Sequence, residues 1–386
     1  MSTINNLRKN RFVFFIETFI RVIMNKFIRL VCGLRKIFKN HEPPSSVYGI
    51  ILNGGIGDCI MAVPAIHQLS KVAEAIYLIV PSHSRIFFET YENIHVCEYE
   101  GSHRKLEQFY RWVLFLRQRK MTILSFNPRF EFFLVYLLST QSRYFGFIKD
   151  RITLSGYGLS FDDVDVSGMN KMTRYRTLVE HLDFSVSSEA FDWALYFKSK
   201  YSCAMFKTDY VVCAPGKTNL WPAGRWAPER FSKSIEKVAN KYGLTVIFVG
   251  TSDQSFDVAT VIEKLDGKTS FIDLCGRTNM KELISVIIGA RAVLCNDSGI
   301  MHLANLVEVP CISIFSFSCP NEFSWGDKAI PIHAKKLPCQ PCVPSVGSLI
   351  GDNFAFHCPY NSACDRSVKS VAVIEAFERI FNDGEI

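Results

Sequence analysis

Hydrophobic residues occur along most of this chain in short runs, and amphipathic segments of helical length separate these runs. Apolar runs that end in glycine, proline or polar residues predict strands, whereas apolar residues at three- and four-residue spacing predict helices. Strands that alternate with helices form parallel sheets with helices on both faces. The pattern therefore predicts an α/β protein.

The predicted elements form two series, which meet near residues 198–208. The first series has strands at 48–52, 75–80, 95–99 and 121–126 and helices at 60–70, 105–118 and 174–182. The second series has strands at 210–214, 245–249, 271–274, 292–295 and 311–315 and helices at 228–242, 281–290 and 368–381. Each series has the length of one doubly wound domain. We therefore expect an N-terminal domain at residues 47–200 and a C-terminal domain at residues 201–386.

Residues 1–46 precede the first domain as an arm and linker, and residues 7–38 predict a basic amphipathic helix. Basic residues interrupt its apolar face too often for a membrane span. Such a helix suits the surface of an anionic membrane, although packing on the protein body would give the same pattern. The first forty residues hold nine of the 44 Lys and Arg and one of the 37 acidic residues. The net charge of +7 therefore belongs to the arm, and the nearly neutral body is not expected to bind nucleic acid.

The thirteen cysteines bear on the cellular compartment of the protein and on a candidate metal site. Their odd number and the lack of a cleavable signal predict a reducing, cytoplasmic environment. Cys339, Cys342, Cys358 and Cys364 have a spacing near that of a zinc ribbon. This set predicts either a structural zinc or four free thiols.

Three polar turns follow predicted strands, at residues 53–58, 214–225 and 296–302. Open α/β sheets bind their ligands at the carboxyl ends of the strands. If two such sheets face each other, these turns meet in the cleft between them. We therefore examined each turn as a candidate binding site.

The first turn contains Gly55 and Gly57, which begin a dinucleotide-binding pattern. Ile60 replaces the third glycine of that pattern, and the next strand ends in Pro81 rather than an acidic residue. A partial match of this kind does not predict dinucleotide binding. Asp58 directly follows the glycines, where it is either a helix N-cap or a general base for a sugar hydroxyl.

The second turn contains two cations and a hydroxyl, Lys217, Arg225 and Thr218. Cations at this position can neutralise the charge that develops on a diphosphate leaving group. The alternative is a solvated loop that Trp221 and Trp226 hold in place.

The third turn begins with Asn296 and continues through Asp297, Ser298 and Gly299 into a predicted helix that contains His302. The start of a helix offers free backbone N–H groups and the positive end of the helix dipole. Phosphate is the usual anion at such a site. The alternative is an ordinary capped helix with His302 packed on its face.

These turns together resemble glycosyltransferase family 9, the lipopolysaccharide heptosyltransferases. The resemblance is carried by Gly57-Asp58 with Pro64 six residues on, by the segment from Pro215 to Phe231, and by the segment from Asn296 to Ala304. It covers about residues 47–380. It implies the GT-B arrangement, in which two Rossmann-like, doubly wound parallel-sheet domains face each other across a cleft. It also implies an inverting, metal-independent enzyme that transfers a sugar, typically heptose from ADP-heptose, to a lipopolysaccharide core or another lipid-linked saccharide.

The resemblance also implies roles for individual residues. Asp58 matches the general base of the family, on the acceptor side of the cleft with Gly55 and Gly57. The donor's diphosphate is expected at Asp297, Ser298 and Gly299, with His302 beside it, and its adenosine near Asp253. Family members commonly have a lysine where this chain has Gly224, so Lys217 or Arg225 is expected to supply the missing charge.

The resemblance implies no cofactor for catalysis and a peripheral location at the inner face of the bacterial inner membrane. Two other functions fit the same residues. One is a relative that binds a sugar or nucleotide without activity, because the lysine at position 224 is missing. The other is a sugar-nucleotide epimerase of the GT-B class, which would act on the donor without an acceptor.

Overall fold

A computed structural model describes residues 46–52, 54–99, 115, 121–124, 126, 143–145, 169–180, 182, 191–202, 205–217, 224–316, 318–333 and 363–382. The predicted arm helix at residues 7–38 lies outside these residues, as do Thr218 and three of the four candidate zinc ligands, Cys339, Cys342 and Cys358. The helix predicted at residues 105–118 is represented only by Phe115, which is helical.

The first half of the chain is built on a parallel sheet. Its five described strands lie in the order β3-β2-β1-β4-β5, so the chain starts in the middle and extends the sheet in both directions. The strands are β1 (Val47–Ile51), β2 (Ala75–Pro81), β3 (Ile94–Tyr99), β4 (Thr122–Leu124) and β5 (Arg143–Phe145), and the described helices are α1 (Ile56–Ser70), α2 (Lys171–Glu180) and α3 (Trp193–Tyr201).

The second half is built on another parallel sheet, with six described strands in the order β11-β10-β9-β6-β7-β8. The strands are β6 (Tyr210–Ala214), β7 (Thr245–Phe248), β8 (Phe271–Asp273), β9 (Ala292–Asn296), β10 (Cys311–Phe315) and β11 (Ala329–His333). The described helices are α4 (Pro228–Tyr242), α5 (Ser255–Ile262), α6 (Met280–Ile288), α7 (Gly299–Leu306), α8 (Pro320–Phe323), α9 (Ala363–Ser367) and α10 (Ser370–Asn382).

Uniform burial along β9 shows why this second sheet has helices on both faces. Val293 and Cys295 belong to one apolar core, whereas Ala292 and Leu294 belong to another on the opposite face. Successive side chains of a strand point to opposite faces, so an uninterrupted apolar run requires cover on both sides. This agrees with the predicted doubly wound class.

The pattern predicts most elements of the second half to within two residues. The predicted bounds of α4, β6 and β10 are those observed, whereas α5, α8, α9 and β11 were not predicted. In the first half, α3 and β5 were not predicted either. None of the helices in the described part of the chain is long and apolar enough to cross a bilayer.

Helix α1 begins four residues earlier than predicted, at Ile56. Gly55 is its N-cap, and Asp58 lies in the first helical turn. The reading of Asp58 as an N-cap is therefore wrong. Pro64 lies in the middle of the helix. A proline there removes one backbone hydrogen bond, and the mostly buried residues of α1 hold the helix in place by packing.

Helix α3 packs on both halves of the molecule. The hydroxyl of Tyr196 is 3.1 Å from that of Thr90 in the first half, and the hydroxyl of Ser285 in α6 donates to the carbonyl of Tyr201 at 2.6 Å. One apolar core also contains residues from both sheets. The domain boundary between residues 200 and 201 would fall near the end of α3, so this boundary stays a prediction.

Asn296 ties three segments of the second half together. Its side chain is fully buried at the end of β9. The amide oxygen accepts from the backbone N–H of Trp226 at 3.2 Å, and the amide nitrogen donates to the carbonyl of Pro215 at 2.7 Å. The turn predicted at residues 214–225 is therefore held at both of its ends by one side chain.

We expect Asn296→Leu to lower the free energy of unfolding by about 2–4 kcal/mol, because it leaves a buried N–H and a buried carbonyl without partners. Chemical denaturation measures the effect. Asn305→Leu is the matched control, since Asn305 is also buried but its amide has no hydrogen-bond partner among the described residues. Equal losses in the two variants would contradict the bridging role of Asn296.

Candidate active site

The N-termini of α1 and α7 meet where the two halves pack together. A Cβ atom on Gly57 would lie 2.5 Å from Cδ2 of His302, and one on Gly299 would lie 2.1 Å from Cγ2 of Ile56. Both distances are shorter than any ordinary contact, so glycine is required on each side. The contact places the glycine turn of the first half directly against the turn that follows β9.

Asp58 projects from this contact and forms an ion pair with Lys171, the first residue of α2. The two side chains are about one-fifth exposed, so solvent can reach the pair. Lys171 also lies over the ring of Phe323 in the second half, with its Nζ 5.8 Å from the ring centroid. The ion pair fixes the position of the Asp58 carboxylate beside the contact between α1 and α7.

His302 is buried on α7 and faces the first turn of α1. The indole N–H of Trp325 donates to its Nδ1 at 2.8 Å, and the two rings are stacked. Nδ1 is therefore an acceptor, which leaves the proton of the neutral ring on Nε2. Burial lowers the pKa of His302 to about 4. The ring is a neutral hydrogen-bond donor rather than a cation.

The turn after β9 has the form of an anion site. Asp297 accepts from the hydroxyl of Ser318 at 2.5 Å, which fixes the carboxylate at the base of the turn. Ser298 occupies the N-cap position of α7, but its hydroxyl makes no capping bond and is buried without a partner among the described residues. A buried hydroxyl and the free N–H groups of a helix start therefore lie side by side.

Lys217 lies at the start of the second predicted turn, and its charge interacts with the turn after β9. Burial lowers its pKa, and the carboxylates of Asp297 and Asp365 oppose that shift. The two carboxylates offset the cost of a partly buried charge.

Arg225 contacts α5 and the backbone of its own turn. Its guanidinium lies 3.4 Å from the carboxylate of Asp257 and donates to the carbonyl of Lys217 at 2.9 Å. These contacts tie the turn to α5 and support the backbone of Lys217. The donor-binding roles of Lys217 and Arg225 both stay predictions.

The backbone explains why glycine stands at position 224. Gly224 has a φ of +91°, which side chains other than glycine rarely adopt. Its N–H donates to the buried carboxylate of Asp365 in α9 at 3.1 Å. A lysine at this position would strain the turn, so the cation has to come from elsewhere in it.

Two further residues named in the sequence analysis, the donor-site candidate Asp253 and the zinc-ligand candidate Cys364, also lie within the described residues. Asp253 is exposed in a short turn, Ser252–Gln254, which follows β7 at the same edge of the sheet. Gln254 packs against Gly216, so this turn is a neighbour of Lys217. Cys364 is buried in α9. The described residues contain no cluster of three or more metal-ligating side chains, and the zinc prediction depends on cysteines outside them.

The sequence analysis did not identify four residues whose side chains contact the site, namely Lys171, Ser318, Trp325 and Asp365. Lys171 is 113 residues from Asp58 and lies in a segment without a legible pattern. Trp325 is 23 residues from His302. No local spacing in the sequence could have joined these pairs.

A model of glycosyltransferase family 9 (heptosyltransferase) matches residues 140–349, more than half of the chain. The chain belongs to glycosyltransferase family 9. This family 9 protein is 22% identical over 347 residues to lipooligosaccharide heptosyltransferase 2 of Campylobacter jejuni, a match that covers 86% of this chain and 97% of that protein. The enzyme is therefore a glycosyltransferase, as the three turns predict.

Solved structures confirm the fold of this family 9 enzyme. The glycosyl transferase family 9 protein of Veillonella parvula superposes with a TM-score of 0.65 at 18% identity, over 88% of this chain and 99% of that one. The ADP-heptose lipopolysaccharide heptosyltransferase II of Escherichia coli superposes with a TM-score of 0.62 at 16% identity, with the same coverage. The predicted GT-B arrangement is confirmed.

We expect His302 to make the stability of the enzyme depend on pH. The ordinary His pKa is 6.5 and that of His302 is about 4. The unfolded state therefore takes up this proton first, and stability is lost as the pH falls. Between about pH 7 and about pH 5, the free energy of unfolding should fall by about 2 kcal/mol more than it does for His302→Gln. Denaturant titrations at each pH measure this, and parallel curves for the two proteins would show that His302 is not held neutral by burial.

Proposed function

We propose that this enzyme transfers a heptose from ADP-heptose to a saccharide of a lipopolysaccharide core, with inversion at the transferred carbon. One observation carries the proposal: the carboxylate of Asp58 lies where the starts of α1 and α7 meet. A proton acceptor from one half of the molecule and an anion site from the other are thereby brought to one place.

Asp58 is the general base of the proposed reaction. It takes the proton of an acceptor hydroxyl while the hydroxyl oxygen bonds to the anomeric carbon of the donor. The bond between that carbon and the phosphate oxygen breaks, and its electron pair leaves with ADP. A positioned carboxylate contributes typically 10²–10⁴-fold to the rate of such a step. The ion pair with Lys171 holds this carboxylate in place next to the start of α2.

The diphosphate of the donor binds at the start of α7 in this proposal. The hydroxyl of Ser298 and the first N–H groups of the helix supply hydrogen bonds, and Lys217 supplies a positive charge. Charge grows on the leaving group in the transition state, so fixed donors there lower the barrier. Asp297 orients the turn through Ser318 and opposes the lowering of the pKa of Lys217 by burial.

We infer the identity of the sugar donor from two proteins that are similar to this enzyme. The Escherichia coli protein with the same fold is an ADP-heptose lipopolysaccharide heptosyltransferase, and the Campylobacter protein is a lipooligosaccharide heptosyltransferase. Asp253 supports a nucleoside donor, since it is exposed at the neighbouring strand end where a ribose would extend from the diphosphate.

The acceptor side of the proposal includes the membrane. A lipid-linked saccharide lies at the membrane surface, and the basic arm at residues 7–38 would hold the enzyme there. The location at the inner face of the inner membrane follows from this function.

The test is transfer from ADP-heptose to a purified lipopolysaccharide acceptor. We expect Asp58→Asn to reduce kcat by about 10²–10⁴-fold, because the amide cannot accept the proton. Lys171→Met removes the ion pair but keeps the carboxylate, and it should lose less activity. Asp209→Asn is the matched control, since Asp209 is exposed and precedes β6 at the opposite edge of the sheet.

Three outcomes would overturn the proposal. Near-wild-type transfer by Asp58→Asn would exclude Asp58 as the base. Equal losses in Asp58→Asn and Lys171→Met would assign the effect to the ion pair. Conversion of the donor without any acceptor would indicate an epimerase.

A further inference from the structure

The two ring nitrogens of His302 have different surroundings. The indole N–H of Trp325 donates to Nδ1 at 2.8 Å. An indole nitrogen can only donate, so Nδ1 has to be the acceptor, and the proton of the neutral ring lies on Nε2. The ring is neutral because burial lowers the pKa of His302 to about 4. The bond with Trp325 therefore determines which nitrogen of His302 can donate a hydrogen bond.

Nε2 of His302 lies at the contact between α1 and α7. A Cβ atom on Gly57 would lie 3.1 Å from Nε2, so this nitrogen faces the residue that directly precedes Asp58. The carboxylates of Asp297 and Asp58 both oppose the lowering of the pKa of His302 by burial. The imidazole therefore interacts with the base of the proposed reaction and with the turn that is proposed to bind the diphosphate.

The N–H group on Nε2 has no acceptor among the described residues. The side chain of His302 bonds to Trp325 through Nδ1 and stacks on its ring. Nε2 of His67 is sealed from solvent without a partner, whereas Nε2 of His302 is not among such sealed atoms. A molecule bound at the contact can therefore reach it. A nucleotide-sugar offers hydroxyl and phosphate oxygens, and both kinds accept hydrogen bonds.

Trp325 is held in place by its neighbours in the chain. The carbonyl of Ser324 accepts from the side chain of Asn170 in the first half at 2.6 Å. Gly326 turns the chain with a φ of +87° and packs on Asn305 near the end of α7. The indole plane lies at 16° to the plane of the imidazole on which it stacks. These contacts fix the direction of the indole N–H.

We propose that Trp325 is a positioning residue of the transfer reaction, which holds His302 so that Nε2–H donates to an oxygen of the bound nucleotide-sugar. This inference rests on the proposed function, in which the donor binds at the start of α7. Trp325 acts through His302 and does not itself touch the donor. A neutral N–H group binds an oxygen without adding a positive charge, which would make the carboxylate of Asp58 a weaker base.

Double-mutant kinetics test this role, because a residue that acts through His302 has no effect once His302 is replaced. Trp325→Phe keeps an aromatic ring and removes the N–H group. We expect it to reduce kcat for transfer from ADP-heptose by about 3- to 10-fold, the equivalent of one hydrogen bond. In His302→Gln, the same change should reduce kcat by less than about twofold further. The KM of the acceptor should not change.

Trp193→Phe is the matched control and should keep the wild-type kcat. Trp193 lines the same cavity between the two halves as Trp325, but its ring contacts Phe191 rather than His302. Thermal melting of each variant shows that it is folded.

Nitrogen-15 NMR of His302 gives a readout that does not depend on activity. In the wild-type enzyme we expect the signals of one neutral tautomer, with the proton on Nε2. Trp325→Phe should increase the share of the tautomer with the proton on Nδ1. ADP or ADP-heptose should shift the Nε2–H signal of the wild-type enzyme. A shift with ADP assigns the acceptor to the diphosphate, and a shift with ADP-heptose alone assigns it to the sugar.

Several results would overturn the proposal. Wild-type kcat in Trp325→Phe would do so, as would equal reductions by this change with and without His302. A proton on Nδ1 in the wild-type enzyme would also contradict it, as would an Nε2–H signal that neither ligand shifts. A wild-type enzyme without transfer activity would contradict the proposed function, and the NMR titration would then decide whether Nε2–H donates to the nucleotide.

Discussion

The site depends on the close packing of two helix starts, in which the side chains of Ile56 and His302 lie directly against the glycines of the opposite helix. The first turns of α1 and α7 approach so closely that neither Gly57 nor Gly299 can carry a Cβ atom. Each helix brings the positive end of its dipole to the contact. Two positive ends repel each other unless negative charge lies beside them. The carboxylate of Asp58 supplies part of that charge, and a bound diphosphate would supply the rest.

The remaining contacts keep this arrangement in register. Asn170 donates to the carbonyl of Ser324 at 2.6 Å, and Arg174 pairs with Glu322 at 2.7 Å. Both contacts join the start of α2 to the segment that follows β10. That segment also carries Trp325, which fixes the ring of His302. The elements that hold the two halves together therefore also orient the residues of the site.

The sequence pattern predicts those parts of this molecule that depend on local spacing. Apolar runs such as Cys311–Phe315 need no knowledge of their neighbours, and the strand–turn–helix at 292–306 was found because its apolar strand ends in polar turn residues. The sequence pattern did not predict that the amide of Asn296 reaches across the sheet to Pro215 and Trp226. A local rule cannot anticipate a bond between residues 81 positions apart.

Position 224 shows a second limit of reasoning from the sequence. The missing lysine indicates a change in the donor site, but either Lys217 or Arg225 could replace it on sequence grounds. The fold shows that Arg225 pairs with Asp257 and that the charge of Lys217 interacts with Asp297. The positive φ of Gly224 explains why a lysine is disfavoured at that position.

A crystal structure of the enzyme with ADP tests the central claim most directly. The account predicts phosphate oxygens at about 2.7–3.2 Å from the N–H groups at the start of α7 and from the hydroxyl of Ser298, with the ammonium group of Lys217 on the same phosphates. Phosphates bound at the glycine turn before α1, with Ser298 and Lys217 making no contact to them, would contradict it.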